Sequence, residues 1–159
     1  MKSLILYNWE VRDEWFKALS GLSFEEFVKE QNAGVETILR TLLHIIDVEY
    51  SWFRAINNKP DITINFDDFT KLQSIIELSN QSRNELKEYL IQWTVENENE
   101  IVKPSWMTET FMKGEIIRHL IAHEIHHIGQ ISVWARELGI TPINSNFIGR
   151  DIEEKVKNL

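Results

Sequence analysis

Residues 118–138 read RHLIAHEIHHIGQISVWAREL and hold four of the five histidines of the chain: His119, His123, His126 and His127. Imidazole titrates near neutrality and is the commonest metal ligand among side chains. On a helix at about 100° per residue, His123 falls about 40° from His119, His126 about −20°, His127 about 80° and Gln130 about 20°. The four rings therefore share one side of one helix, with Leu120, Ile121, Ile131 and Trp134 around them. Such a face is costly without partners. A buried neutral imidazole must satisfy a donor and an acceptor, and charged rings packed together repel. A divalent cation relieves both problems by taking one nitrogen lone pair, while the other nitrogen donates to a neighbouring acceptor. His123 and His127 are an i, i+4 pair, a spacing that brings two ring nitrogens to one point above a helix. His119 and His126 read as surface residues or as outer partners of such a pair.

Two ligands rarely hold a catalytic metal, and the remaining histidine, His44, is the candidate for a third. It stands in RTLLHIIDVEYSW, with Arg40 one turn before it, Asp47 one turn after it, and Leu43, Ile46 and Tyr50 as apolar neighbours. In so apolar a segment it is either a core histidine with one hydrogen bond or a ligand facing the axis of a bundle. A competing motif is present. His123, Glu124 and His127 match HExxH, in which Glu124 would be the general base of a metalloprotease. That reading needs a close downstream ligand, where only Glu137 stands, and a sheet to hold a peptide, of which the sequence gives no sign.

Bulk properties narrow the field. The chain has 159 residues, 43% of them hydrophobic, which suits one domain over residues 1–159 with a sizeable core. Its formal net charge of −8 argues against an electrostatic grip on nucleic acid or on an anionic membrane surface. With no cysteine, the chain has no disulfide, no thiolate nucleophile and no thiolate metal ligand of its own. The apolar run near the N-terminus is soon broken by Glu10, Arg12, Asp13 and Glu14, too early for a signal peptide or a membrane span. A cytoplasmic protein is expected.

The elements that must position the histidines follow from periodicity and sparse breakers, six Gly and three Pro. A first helix is predicted over residues 2–19, ended by Gly21. A capping box of Ser23 and Glu26 then starts a short helical turn. The second helix is predicted over 34–58, where Val35, Ile38, Leu39, Leu42, Leu43, Ile46, Tyr50 and Phe53 follow the i, i+3, i+4, i+7 rule. Pro60 marks a loop. A third helix is predicted from Asp67 to Asn97, capped by Asp67 or Asp68. Glu100–Lys103 reads as extended before Pro104. The fourth long helix runs from Lys113 to Leu138, with Gly139 ending it, and a short helix near the C-terminus is the last candidate. The fold class is all-α, a four-helix bundle, up-down-up-down or with a longer crossover.

LLHIIDVEYSW around His44, together with HLIAHEIHHIGQ around His123 and His127, resembles the DinB/YfiT-like metalloenzymes. The N-terminal YNWEVRDEWFKALSGLSFEEF and GVETILRTLLHI resemble that family too, so the likeness spans nearly the whole chain. The resemblance implies a four-helix bundle, usually a homodimer. It further implies that His44, His123 and His127 hold a divalent metal, commonly zinc or nickel, at one end of a cleft. Family members often carry Arg before the Gly-Gln pair, where this chain has Ile128.

Three neutral histidines leave at least one coordination position open, the mark of a catalytic site. Relatives of this kind include transferases and isomerases that use low-molecular-weight thiols such as bacillithiol or mycothiol. The resemblance thus implies an S-transferase whose partners are such a thiol and a small electrophilic substrate. Hydrolysis by a bound hydroxide, and a non-enzymatic metal-binding or dimerisation module, stand beside it as alternatives. Trp9, Trp52, Trp106 and Trp134 are candidates for a pocket wall, although bundle core is the expected place for most of them. Arg40, Asp47 and Glu124 are candidates for contacts to the ligands. The residues single out no catalytic group.

Overall fold

The computed structural model describes residues 1–31 and 35–159. Four long helices carry the architecture: α1 (Lys2–Ala18), α3 (Ile38–Ile56), α4 (Leu72–Gln92) and α5 (Lys113–Glu137). Two short ones, α2 (Phe24–Phe27) and α6 (Ile152–Lys157), flank them. α3 packs on α4 and α5, and α1 packs on the same two helices. α1 and α3 therefore occupy opposite corners, and the connections α1–α3 and α4–α5 each cross the bundle rather than join neighbours. The all-α four-helix bundle read from periodicity is the observed fold, in its crossover form.

Local chemistry sets the boundaries. Ser23 and Glu26 form the predicted capping box: the Ser23 amide donates to Glu26 Oε2 at 2.8 Å, and Ser23 Oγ accepts from the Glu26 amide at 3.3 Å. The second helix begins at Ile38 and not at 34, because Thr37 Oγ1 caps it by accepting from the Arg40 amide at 3.1 Å; Gly34 itself lies outside the described residues. The predicted end at Gly139 holds. With Gly139 at φ +76°, its amide reaches Arg136 O at 3.0 Å and the Ile140 amide reaches Ala135 O at 2.9 Å, the paired bonds of a Schellman motif.

The third helix departs from expectation at both ends. Asp67 and Asp68 do not cap it; they belong to a separate 3₁₀ turn, Phe66–Asp68, whose Asp67 amide donates to Asn65 Oδ1. Extended backbone at Phe69 and Lys71 then precedes α4. At the far end Trp93 is extended, and the Thr94 amide donates to Asn97 Oδ1 at 2.8 Å to start a new 3₁₀ turn, Val95–Asn99. Both misplacements have one cause. Asn and Thr side chains bonding to nearby backbone compete with helix continuation.

The expected extended segment is real and has a partner. β1 (Ile101–Val102) pairs antiparallel with β2 (Phe111–Met112), which leads straight into α5. Gly114 permits the close approach of the 95–99 turn to α5, since a Cβ there would lie 3.1 Å from both Glu98 Cβ and Glu98 O.

The core falls into two apolar clusters. One gathers Trp15, Phe16, Leu42, Leu43, Ile46, Ile75, Ile131 and Trp134; the other gathers Ile5, Trp9, Phe53, Leu86, Leu90, Ile117 and Leu120. Between them lies a buried polar layer of Arg12, Glu49, Ser79, Ser82 and Glu124, one or two residues from each long helix. Arg12, with no exposed surface, donates from Nε and Nη2 to the two oxygens of Glu124 at 2.7 and 2.6 Å and from Nη1 to Glu49 Oε2 at 3.0 Å. Trp9 Nε1 donates to the other Glu49 oxygen at 2.7 Å. Burial alone would lower the pKa of Arg12, but Glu124 and Glu49 hold it above its usual value.

Candidate metal centre

The histidines stand at the α3–α5 contact, level with the polar layer. His44 projects from the middle of α3. His123 and His127 project from one face of α5, one turn apart, so the i, i+4 spacing and the α3–α5 packing together bring three rings into a triangle. Ring centroids lie 4.8 Å apart for His44–His123, 5.0 Å for His44–His127 and 4.5 Å for His123–His127. One nitrogen of each ring lies within 4.8 Å of the others, and His44 Nε2 is 3.0 Å from His123 Nε2. Tetrahedral zinc with Zn–N of about 2.0–2.1 Å separates its ligand nitrogens by roughly 3.3–3.4 Å. The observed spread brackets that value, so a divalent ion fits with small ring rotations.

The donor chemistry fits as well. His127 is buried, and its Nδ1–H donates to Gln130 Oε1 at 2.7 Å, which fixes the tautomer that leaves the Nε2 lone pair free. Gln130 Nε2 in turn donates to His126 Nε2 at 3.3 Å. Burial, followed by the neighbouring rings of His127 and His44, pushes His123 down to about 3. Burial and then His127 lower His44; burial lowers His127 too, against the opposing pull of Gln130. All three rings are therefore neutral at pH 7, the form that ligates a cation.

His119 and His126 are exposed at the rim. The ring of His119 lies 5.5 Å from that of His123 and 6.2 Å from Trp52, and His126 lies 5.1 Å from His127. Neither joins the triangle. A cavity of about 570 Å³ opens beside it, lined by His44, His119 and His123 and by the apolar walls Val48, Trp52, Phe111 and Ile116. Such a volume suits a small organic molecule.

The structure redistributes the other candidates. Glu124, the general base of the HExxH reading, turns away from the triangle into the buried pair with Arg12, where both its oxygens are occupied. The metalloprotease reading fails on that geometry, because a base must reach a water at the metal. Arg40 is also distant in role: it lies exposed, 3.6 Å from Asp67. Asp47 is half-buried and does not line the cavity. Burial, then the charge of Asp61, raises its carboxyl to about 6. The hydrogen-bond partner that one ring of the triangle does have is Gln130, which the sequence placed on the histidine face without a role. Of the four tryptophans considered for a wall, Trp52 lines the cavity and Trp106 stands edge-to-face on it at 5.3 Å. Trp9 and Trp134 are core.

No helix among the described residues is long and apolar enough to cross a membrane. Comparison with known proteins agrees with the architecture. The chain is 47% identical over 154 residues to the uncharacterized protein YizA of Bacillus subtilis (strain 168), a match covering 96% of this chain and 97% of that one. A crystal structure of a DinB-like protein from Bacillus cereus ATCC 10987 superposes with a TM-score of 0.67 at 22% identity, over 87% of this chain and 93% of the other, and so shares the fold. The sequence pattern of the DinB family matches residues 1–154. With its four-helix bundle and its three-histidine cluster, the chain belongs to the DinB family.

Proposed function

We propose that His44, His123 and His127 hold a divalent cation, zinc or nickel, and that the protein is a metal-dependent S-transferase. It joins a low-molecular-weight thiol of the bacillithiol type to a small electrophilic substrate. One observation supports this above the others: three neutral imidazole nitrogens converge within 4.8 Å at the edge of a cavity large enough for an organic molecule. A divalent ion there supplies Lewis acidity that favours the thiolate of a cosubstrate at neutral pH. The chain has no cysteine, so the sulfur must come from outside. The sulfur lone pair attacks an electrophilic carbon in the cavity and forms the C–S bond. The leaving group departs with its bonding electrons, and the thiol proton passes to solvent. In this chain's own machinery Gln130 orients His127, the α3–α5 packing presents His44, and the apolar walls exclude bulk water.

Hydrolysis by a bound hydroxide is the weaker reading. The carboxylate lining the cavity, Glu115, accepts from the Met112 amide at 2.9 Å and caps α5. The working unit in the proposed reading is a cytoplasmic homodimer, which sedimentation equilibrium checks directly.

The test is elemental analysis of protein purified without a histidine tag, alongside His44→Ala and His127→Ala. About one equivalent of metal in the parent and a loss of at least nine-tenths in either variant is expected. Cobalt-loaded protein should then gain a sulfur-to-cobalt charge-transfer band on addition of bacillithiol. Metal content that survives both substitutions overturns the site, and a spectrum indifferent to thiols overturns the transferase reading.

A further inference from the structure

The cavity beside the three imidazoles has an uneven chemical character. Its walls are Val48 and Trp52 from α3, Ile116 from α5, Phe111 from β2, and Met107 from the loop between the strands. Trp52 is the hub of an aromatic cluster, with Trp106 at 5.3 Å and Phe111 at 5.6 Å, both edge-to-face. Trp106 and Met107 remain 40% and 39% exposed, an apolar rim that an occupant would cover. The charged side chain in the lining is Glu115, and among the described residues no lysine or arginine joins it. The two cations nearest along α5 are already engaged, Lys113 with Glu100 and Arg118 with Glu98. The net charge of −8 adds long-range repulsion of anions.

We infer that this cavity selects an aromatic or otherwise flat apolar body that carries no anionic group, held edge-on by Trp52 and Phe111 with its reacting head toward His44 and His123. The inference rests on the proposed metal centre for the position of the head, and on the cavity alone for the class of the body. Aromatic rings meeting edge-to-face attract one another beyond what area burial alone supplies. A carboxylate held against Val48, Trp52 and Phe111 would lose its hydration and meet the charge of Glu115. For the S-transfer above, the electrophile is therefore apolar and aromatic, and the anionic part of a thiol cosubstrate must project past the rim into solvent.

Three hydroxamates with one metal-binding head and different bodies separate the alternatives. Cobalt-loaded protein is titrated with acetohydroxamate, benzohydroxamate and succinic monohydroxamate, reading the visible cobalt spectrum. Benzohydroxamate should bind at least tenfold more tightly than acetohydroxamate, and the succinyl compound more weakly than both. Trp52→Ala should remove the benzohydroxamate advantage while leaving acetohydroxamate affinity within about twofold. In parallel, metal-free protein is titrated with the neutral fluorophore N-phenyl-1-naphthylamine. Binding is expected, with at least a tenfold loss in Val48→Arg; Phe111→Ala serves where that variant fails to fold. Equal affinity for the three hydroxamates, or tightest binding of the succinyl compound, overturns the inference. If cobalt never loads yet the fluorophore binds and is lost in the variant, the metal centre falls and the cavity assignment stands.

Discussion

Two polar clusters sit at the same level of this bundle and are built on opposite terms. In the Arg12–Glu49–Glu124 cluster each of the three guanidinium nitrogens has an acceptor, and the group is sealed between two apolar clusters. In the His44–His123–His127 cluster, nitrogens face one another across 3.0 Å beside an open cavity. On α5 the two clusters are separated by a single residue step, from His123 to Glu124. A step of about 100° around the helix is enough to send one side chain to the axis and the other to the flank. Buried polar groups that satisfy each other serve the fold; polar groups gathered but left with free lone pairs serve a ligand.

The sharpest way to break this contrast is Arg12→Met. It leaves two buried carboxylates without their bonded cation and should cost about 3–5 kcal/mol of stability, measured by chemical denaturation. A loss below about 1 kcal/mol would mean the cluster is not sealed. Next comes His44→Ala. Removal of one of three ligands should lower cobalt affinity at least a hundredfold while changing metal-free stability by no more than about 1 kcal/mol, because the ring is half-buried and carries no fold-holding bond to other elements besides the facing histidine. If stability falls as steeply as in Arg12→Met, the two clusters are of one kind.

Acid should act on the flank. The folded-state pKa of His123 is depressed to about 3 from an ordinary value of 6.5, chiefly by burial. The unfolded chain takes up that proton first as pH falls. Stability from this group is therefore present above pH 6.5 and is lost progressively toward pH 3. Metal should be released in the same window, since protons compete for the same nitrogens. Thermal melts with and without metal between pH 7 and 4 check both. Gln130→Leu is a smaller perturbation. Without its acceptor the His127 tautomer is no longer fixed, and metal affinity should fall about 10–100-fold with little change in the melting temperature. Smallest is Asp47→Asn. The Asp47 carboxyl is raised to about 6 in the fold, so its ionisation penalises the folded state as pH rises from about 4 through 6. The variant should gain up to about 1 kcal/mol at pH 7, after allowance for solvent screening, and nothing at pH 3.5.

The flank cluster was legible in the amino-acid order because histidine is scarce here and its spacing is tied to the helix period. The sealed cluster was not, because single charged residues in a helix ordinarily belong to its wet side. A signal was nevertheless present. Arg12 lies on the stripe Ile5, Trp9, Phe16, Leu19; Glu49 lies on Leu42, Ile46, Phe53, Ile56; Glu124 lies on Ile117, Ile121, Ile128, Ile131. Each is a charge at a position where the period demands an apolar residue, and three such violations of opposite sign point to one another. The breaks around α4 were hidden for another reason. Asn65, Thr94 and Asn97 act through side-chain bonds to nearby backbone that periodicity does not register. The pairing of Ile101–Val102 with Phe111–Met112 spans a loop whose length gives no turn signature.

Because α4 lies between the two histidine-bearing helices in the chain but not in the bundle, His44 and His123 are 79 residues apart. During synthesis the nascent polypeptide displays one lone imidazole until the last long helix has left the ribosome. Under the proposed reading, ion capture belongs to the final stage of maturation, and truncated or stalled chains lack the complete triad.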